Sequence, residues 1–366
     1  MRCSPRLRRG WKIEIGHARL LVIAFVTIAS VAPAWAQLTP QRIPTPTMVN
    51  STVSSGRALA NLGSHFLERL GGQSGNGFNR MQRTNPDGGG ASVLTEAPRY
   101  RTWFEGYGNT TTNGATGDFV GDSRRTWGGA AGIGARVAPG INIGLSVDQS
   151  RSAIDIPLAL QSATIDLSQF AFMASVDSGA WTWASAVVHG LGNIDSRRDT
   201  GLGLATAGYN ARLDGVLSEV SYYWSNGQGR IVPKAAFEYV RARTGSLQET
   251  GGLDPVAATD ASVQRARVMI GAEAGHYWIL DRKVLDVSAY GKLVDNVVQN
   301  FSDITVSLGA KRITLQGIGE SRYGADAGAS ASLVLTRTAR LYVNYDAKFR
   351  AAMQSHQGTF GVELKW

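Results

Sequence analysis

The chain has 366 residues, 43% hydrophobic and 18% charged, with a formal charge of +9 and one cysteine, Cys3. That length admits two ordinary domains or one large barrel with an appendage, and the want of a long continuous apolar run beyond the N-terminus argues against a helical membrane protein. Forty-four glycines alongside nine tryptophans and eleven tyrosines suit many strands with small inward residues and aromatic girdles, and equally a secreted β-solenoid.

Taken in order, the chain opens on Arg2, Arg6, Arg8, Arg9, Lys12 and Arg19, then an apolar run from Leu20 to Ala32, then Ala34-Trp35-Ala36. This is the layout of a signal peptide over residues 1–36, with cleavage after Ala36 and a mature chain from Gln37. The apolar run is too short for a transmembrane anchor. Removing the leader takes six basic residues and Glu14 and leaves +4, so the basic balance belongs to the export signal and no nucleic-acid partner is expected. Cys3 leaves too, which excludes disulfides, cysteine catalysis and thiolate metal sites in the mature chain.

Residues 37–98 form a polar segment punctuated by Pro40, Pro44, Pro46, Gly71-Gly72 and Pro86-Asp87-Gly88-Gly89-Gly90, the composition of linkers. Within it Leu59, Leu62, Phe66 and Leu70 recur at helical spacing, so one amphipathic helix is predicted near 51–70, capped by Asn50 or Ser51 and stopped at Gly71. Its length of roughly 30 Å is that of the hydrocarbon layer.

From residue 99 to 366 the hydrophobic period becomes two, the signature of strands. Gly140 to Ser150 sets Ile141, Ile143, Leu145 and Val147 against Asn142, Gly144, Ser146 and Asp148; Ala339 to Arg350, Val263 to Trp278 and Arg322 to Leu335 split the same way. One apolar face and one small or charged face predict lipid outside and water inside. The connections alternate in length. Long ones, such as Ile194 to Gly208, Thr244 to Ser262, Gln299 to Ser321 and Ala351 to Gln357, fall on one rim, and short ones, such as Ala138-Pro139-Gly140, fall on the other. A soluble sandwich has no reason to keep that parity, whereas an outer-membrane barrel has short periplasmic turns and long exterior loops. The fold class predicted is all-β, an antiparallel transmembrane β-barrel of about twelve strands. In the closing stretch Phe360, Val362, Leu364 and Trp366 share the apolar face, and with an even strand count this strand should pair with Tyr100 to Asn109 and close the barrel.

Residues 99–366 resemble the autotransporter β-domain, the translocator of type V secretion. Trp103-Phe104-Glu105-Gly106-Tyr107-Gly108 is similar to that family's opening strand. Gly128 to Gly134 with Gly140-Ile141-Asn142-Ile143-Gly144 resembles its Gly-rich hairpin, Ile231 to Val240 its proline-bearing strand, and Phe360 to Trp366 its closing strand. The resemblance implies insertion in a Gram-negative outer membrane by the barrel assembly machinery with periplasmic chaperones, contact with outer-membrane lipid and lipopolysaccharide, and passage of the N-terminal segment to the cell surface. Residues 37–98 would then be a short passenger and linker; they show no solenoid repeat. Two alternatives stay open: a barrel that secretes nothing and acts through its outer loops as an adhesin or narrow pore, and an outer-membrane hydrolase.

Candidate chemistry is sparse. His65, His189, His276 and His356 are scattered and show no zinc spacing, and no nucleophile elbow or Walker loop is present. No catalytic residue, metal or cofactor is therefore expected, and His356 beside Ser355, or Asp195 and Asp199, read as solvated loop polars. The charges on inward positions carry more meaning. Lys234, Glu238, Arg265, Arg267, Glu273, Asp346 and Lys348 should project into a confined interior, pairing across strands or touching a threaded segment. Trp181, Trp183, Trp224, Trp278 and Trp366 read as girdle aromatics. The protein is expected to be a monomer.

Overall fold

The computed structural model describes residues 43–75, 98–281 and 283–366. The cleavage positions Ala34, Ala36 and Gln37, like the rest of the leader and the linker at 76–97, lie outside them.

Twelve long strands form one antiparallel meander. They are β1 Tyr100–Asn113, β2 Asp122–Ala138, β3 Ile141–Ile156, β4 Gln161–Ser178, β5 Trp181–Asp199 and β6 Leu204–Tyr222, then β7 Gly229–Thr244, β8 Ala261–Leu280, β9 Lys283–Phe301, β10 Tyr323–Val334, β11 Ala339–Arg350 and β12 Met353–Lys365. Each pairs with the next, and β1 pairs with β12 from Arg101 opposite Lys365 to Asn113 opposite Met353, so the sheet closes as predicted. Closure leaves the barrel no free edge to template aggregation. The short turns need special backbone: Gly140 has φ of 75°, and a Cβ there would lie 2.5 Å from the Asp177 carbonyl oxygen, which only glycine avoids.

The alternation resolves as lipid-side and lumen-side faces. On β12, Phe360, Leu364 and Trp366 are exposed while Thr359, Glu363 and Lys365 are buried. On β1 the large residues divide, Phe104 outward and Trp103 and Tyr107 inward. The inward rings rest on glycines of the neighbouring strand: a Cβ at Gly132 would come within 2.5 Å of the Trp103 indole, and one at Gly128 within 2.5 Å of the Tyr107 hydroxyl. The glycine-rich hairpin is thus a floor for two lumen aromatics.

Two expectations are corrected. Several connections predicted to be long loops are strand in the structure: β11 and β12 are joined only by Ala351 and Ala352, and β5 and β6 by residues 200–203. Strands reach 20 residues, whereas about 9–11 cross a bilayer. The excess continues as paired strand past the apolar band, because cross-strand hydrogen bonds satisfy the backbone wherever the chain goes. The two true long loops, 245–260 and 302–322, pair through Leu247–Gln248, Ala257–Ala258, Ile304–Leu308 and Lys311–Leu315 into a four-stranded outer cap.

The helix is longer than predicted. A 3-10 turn at Pro46–Val49 leads into α1 at Asn50–Gly75, so Gly71 lies within the helix, where a Cβ would meet Leu217 Cδ2 at 2.7 Å. That glycine serves close packing and not termination.

Candidate functional site: the helix-filled lumen

α1 runs inside the barrel, and its sequence divides into two stripes that explain why it sits there. The apolar stripe, Leu59, Phe66, Leu67 and Leu70, is fully buried in one cluster with Ile165, Leu167, Leu213, Leu217 and Val240 of the wall. Each such side chain contributes roughly 1.5–3 kcal/mol on burial. Gly63 brings the backbone close, since a Cβ there would lie 2.6 Å from Leu213 Cδ2, and on the wall a Cβ at Gly215 would lie 2.8 Å from Leu67 Cδ1.

The polar stripe carries the specificity. Near the middle of the lumen Ser64 donates to Glu238 Oε1 at 2.6 Å and accepts from Arg265 at 2.5 Å, while Arg265 also donates to Asn61 Oδ1 at 2.8 Å. Arg267 grips Glu238 through two bonds of 2.8 and 2.9 Å and reaches Glu68 at 2.6 Å. Lys348 meets the same Glu68 oxygen at 2.9 Å. One turn below, Arg69 spans Glu105 at 2.8 Å and Asp148 at 2.6 Å, with its guanidinium 3.8 Å from the Tyr107 ring centroid. Gln73 donates to the Tyr342 hydroxyl at 2.8 Å. Partners on β1, β3, β7, β8 and β11 therefore surround the helix.

At the long-loop rim, the Ser51 amide donates to Gln161 Oε1 at 2.8 Å, and Ser54 donates to Asp122. Arg57 stacks 5.3 Å above the Phe119 ring. Glu320, on the loop before β10, pairs with Arg265 at 2.8 Å. Burial opposes its ionisation, but Arg265, Arg57 and Arg267 outweigh burial and hold it at about 2.

Each of the seven predicted charges faces the lumen. Arg265, Arg267, Glu238 and Lys348 bind the helix directly or through one another. Lys234 and Glu273 instead pair with each other at 3.0 Å, and Asp346 accepts from Tyr290 at 2.5 Å. These three belong to a cavity of about 140 Å³ beside Glu68 and Gly72 of the helix, lined mainly by strands from β6 to β11. The helix is seated mainly against β4 to β8, and the unfilled space reaches from there toward β9 to β11. Sequence reasoning missed Ser64, Glu68, Arg69 and Gln73; the available signal was Ser64 and Glu68 at i, i+4 on the face away from Leu59 and Phe66.

The other candidates do not converge. Ser355 points inward and accepts from Asn109 and Thr111, both at 2.9 Å, whereas His356 points outward to the Tyr345 hydroxyl at 2.8 Å. Neighbours on a strand face opposite sides of the wall. Asp195 and Asp199 lie five strands round from them, on β5. Among the described residues no group of three or more His, Cys, Asp or Glu could hold a metal. The five predicted girdle tryptophans are all outward at the short-turn rim.

The autotransporter β-domain family profile matches residues 102–346. Among solved structures, the chain is similar to the translocator domain of the autotransporter NalP from Neisseria meningitidis, at 13% identity over 79% of this chain and 94% of that one, with a TM-score of 0.61. It is also similar to the β domain of the Bordetella autotransporter BrkA, at 14% identity over 73% of this chain and all 100% of that one, with a TM-score of 0.54. No curated protein sequence matches.

Proposed function

Because this chain belongs to the autotransporter β-domain family, whose barrels sit in the outer membrane of Gram-negative bacteria, we propose that it carries its own N-terminal segment to the cell surface. The observation that carries this reading is the polarity of α1. Its first two turns contact Gln161 and Asp122 at the long-loop rim, and its last turns contact Glu105 and Tyr342 toward the short-turn rim. A segment that has crossed the lumen from the periplasm while its C-terminal end stays joined to β1 ends in that orientation.

In this reading residues 1–36 direct export across the inner membrane and are removed at Ala34, Ala36 and Gln37. The assembly machinery and periplasmic chaperones engage the face of Phe360, Val362, Leu364 and Trp366, and the barrel works as a monomer in contact with lipid. It acts by conformational transport without covalent catalysis, metal or cofactor. A second reading, display of the outer cap as an adhesive surface, is favoured by that cap's own packed residues Leu247, Val256, Ile304 and Val306.

Ile43 lies just ahead of the 3-10 turn and is 60% exposed. In intact cells carrying Cys3→Ser and Ile43→Cys, a membrane-impermeant maleimide should label the protein. Labelling only after the outer membrane is permeabilised would place the segment in the periplasm and overturn export.

A further inference from the structure

On the lipid side of the wall, two strands end their apolar band in arginines. Outward residues of β7 run Ile231, Pro233, Ala235, Phe237 and Tyr239, then Arg241 and Arg243. The stretch to Tyr239 has the length of about nine residues that crosses hydrocarbon, so the arginines stand at headgroup level on the long-loop side. On β6, Val220 and Val216 give way to Asp214 and Arg212.

The register sets Arg212 directly opposite Arg243, and Asp214 opposite Arg241. Like charges facing each other across a strand pair destabilise it. Neither Arg212 nor Arg243 has an acidic partner among the described residues, and both are exposed. The carboxylate at this level is already engaged, with Asp214 Oδ1 2.8 Å from His189 Nδ1. Arg241 Nε is buried without a hydrogen-bond partner. Three guanidinium groups are thus gathered with their donors unspent.

We propose that Arg212, Arg241 and Arg243 bind the phosphate of an outer-leaflet glycolipid, whose acyl chains lie along Leu191 beside Arg212 and Phe237 below Arg241. The guanidinium fork matches phosphate oxygens in pairs, and an anion between Arg212 and Arg243 converts their repulsion into shared attraction. Leu191, in register with Arg212, and Phe237 are both exposed to the hydrocarbon. The site rests on the reading that the long-loop rim faces outward, and lipid, not free phosphate, is the occupant because the arginines border an apolar wall.

The test uses the folded barrel in detergent and native mass spectrometry, with three probes: a bis-phosphorylated hexa-acyl disaccharide lipid, the same lipid without phosphate, and inorganic pyrophosphate. The phosphorylated lipid should be retained. Arg212→Gln with Arg243→Gln should bind it about thirtyfold more weakly, and Arg151→Gln, an exposed arginine already paired with Asp166, should bind it as the wild type does. All positions are exposed, and the folded electrophoretic form of each variant serves as the folding control. Equal retention by the double variant, equal retention of the dephosphorylated lipid, or pyrophosphate binding as tight as lipid would each overturn the site. Orientation is read separately: Thr314→Cys in the outer cap should be labelled in intact cells, and failure there would overturn the outer-leaflet assignment while leaving the detergent result standing.

Discussion

At the scale of the residue, Arg267 is the hinge of the lumen network. It neutralises Glu238 of the wall and Glu68 of the helix at once, and all three groups are removed from bulk water. Removing one partner from a buried pair strands the other charge, which costs more than the pair itself contributes. Arg267→Met should therefore destabilise the folded barrel by about 3–5 kcal/mol, read as a fall in the urea midpoint of purified protein. Adding Glu238→Gln to that variant should recover part of the loss, since Glu68 keeps Lys348 and no carboxylate is then left unpaired. A midpoint that stays at the wild-type value in the single variant would show that lumen water solvates these groups, and the network would then be a weak one.

At the scale of the element, β12 closes the barrel by two separable means. Its main chain pairs with β11 and β1 along its length, and Trp366 adds three main-chain bonds, from the Arg99 and Tyr100 amides at 2.9 and 2.8 Å and to the Tyr100 carbonyl at 3.1 Å. The Trp366 ring is exposed and adds none of these. Trp366→Ala keeps the ladder and removes only the ring, whereas deleting residues 360–366 opens the seam. Outer-membrane levels should fall on deletion, fall less with Trp366→Ala, and stay near wild type when residues 304–315 of the cap are trimmed. Unchanged levels in Trp366→Ala would limit the role of this strand to its hydrogen bonds.

At the scale of the whole molecule, the helix decides what the barrel can pass. A twelve-stranded wall encloses more space than its own side chains fill, and α1 occupies much of that space, leaving a cavity that reaches toward β9 to β11. In planar bilayers the full protein should show little ion current, and a variant lacking residues 46–75 should open to a steady conductance. Current of equal size in both would mean that the helix does not seal the lumen. The twelve strands, the closing pair and the two faces of the cleanly alternating strands were legible in the amino-acid order, whereas the faces of strands with large residues on both sides, such as β1, were not. Strand periodicity is a local property that one chain displays without its neighbours.

What the sequence by itself determined was the set of faces: apolar outside, small or charged inside, with an even number of strands to close them. The tertiary structure alone decided which inward charges meet. Arg267 reaches Glu68 on a helix some 200 positions earlier, while Lys234 and Glu273 pair with each other, and Glu273 also with Arg230. It also decided that Gly71 is a packing surface, because its significance lies in Leu217 of β6. Likewise the facing of Trp103 and Tyr107 depended on glycines across the sheet. Period two reports which side of a strand a residue occupies, but the partner it finds there depends on register and on what fills the lumen, and neither is written in any single stretch of chain.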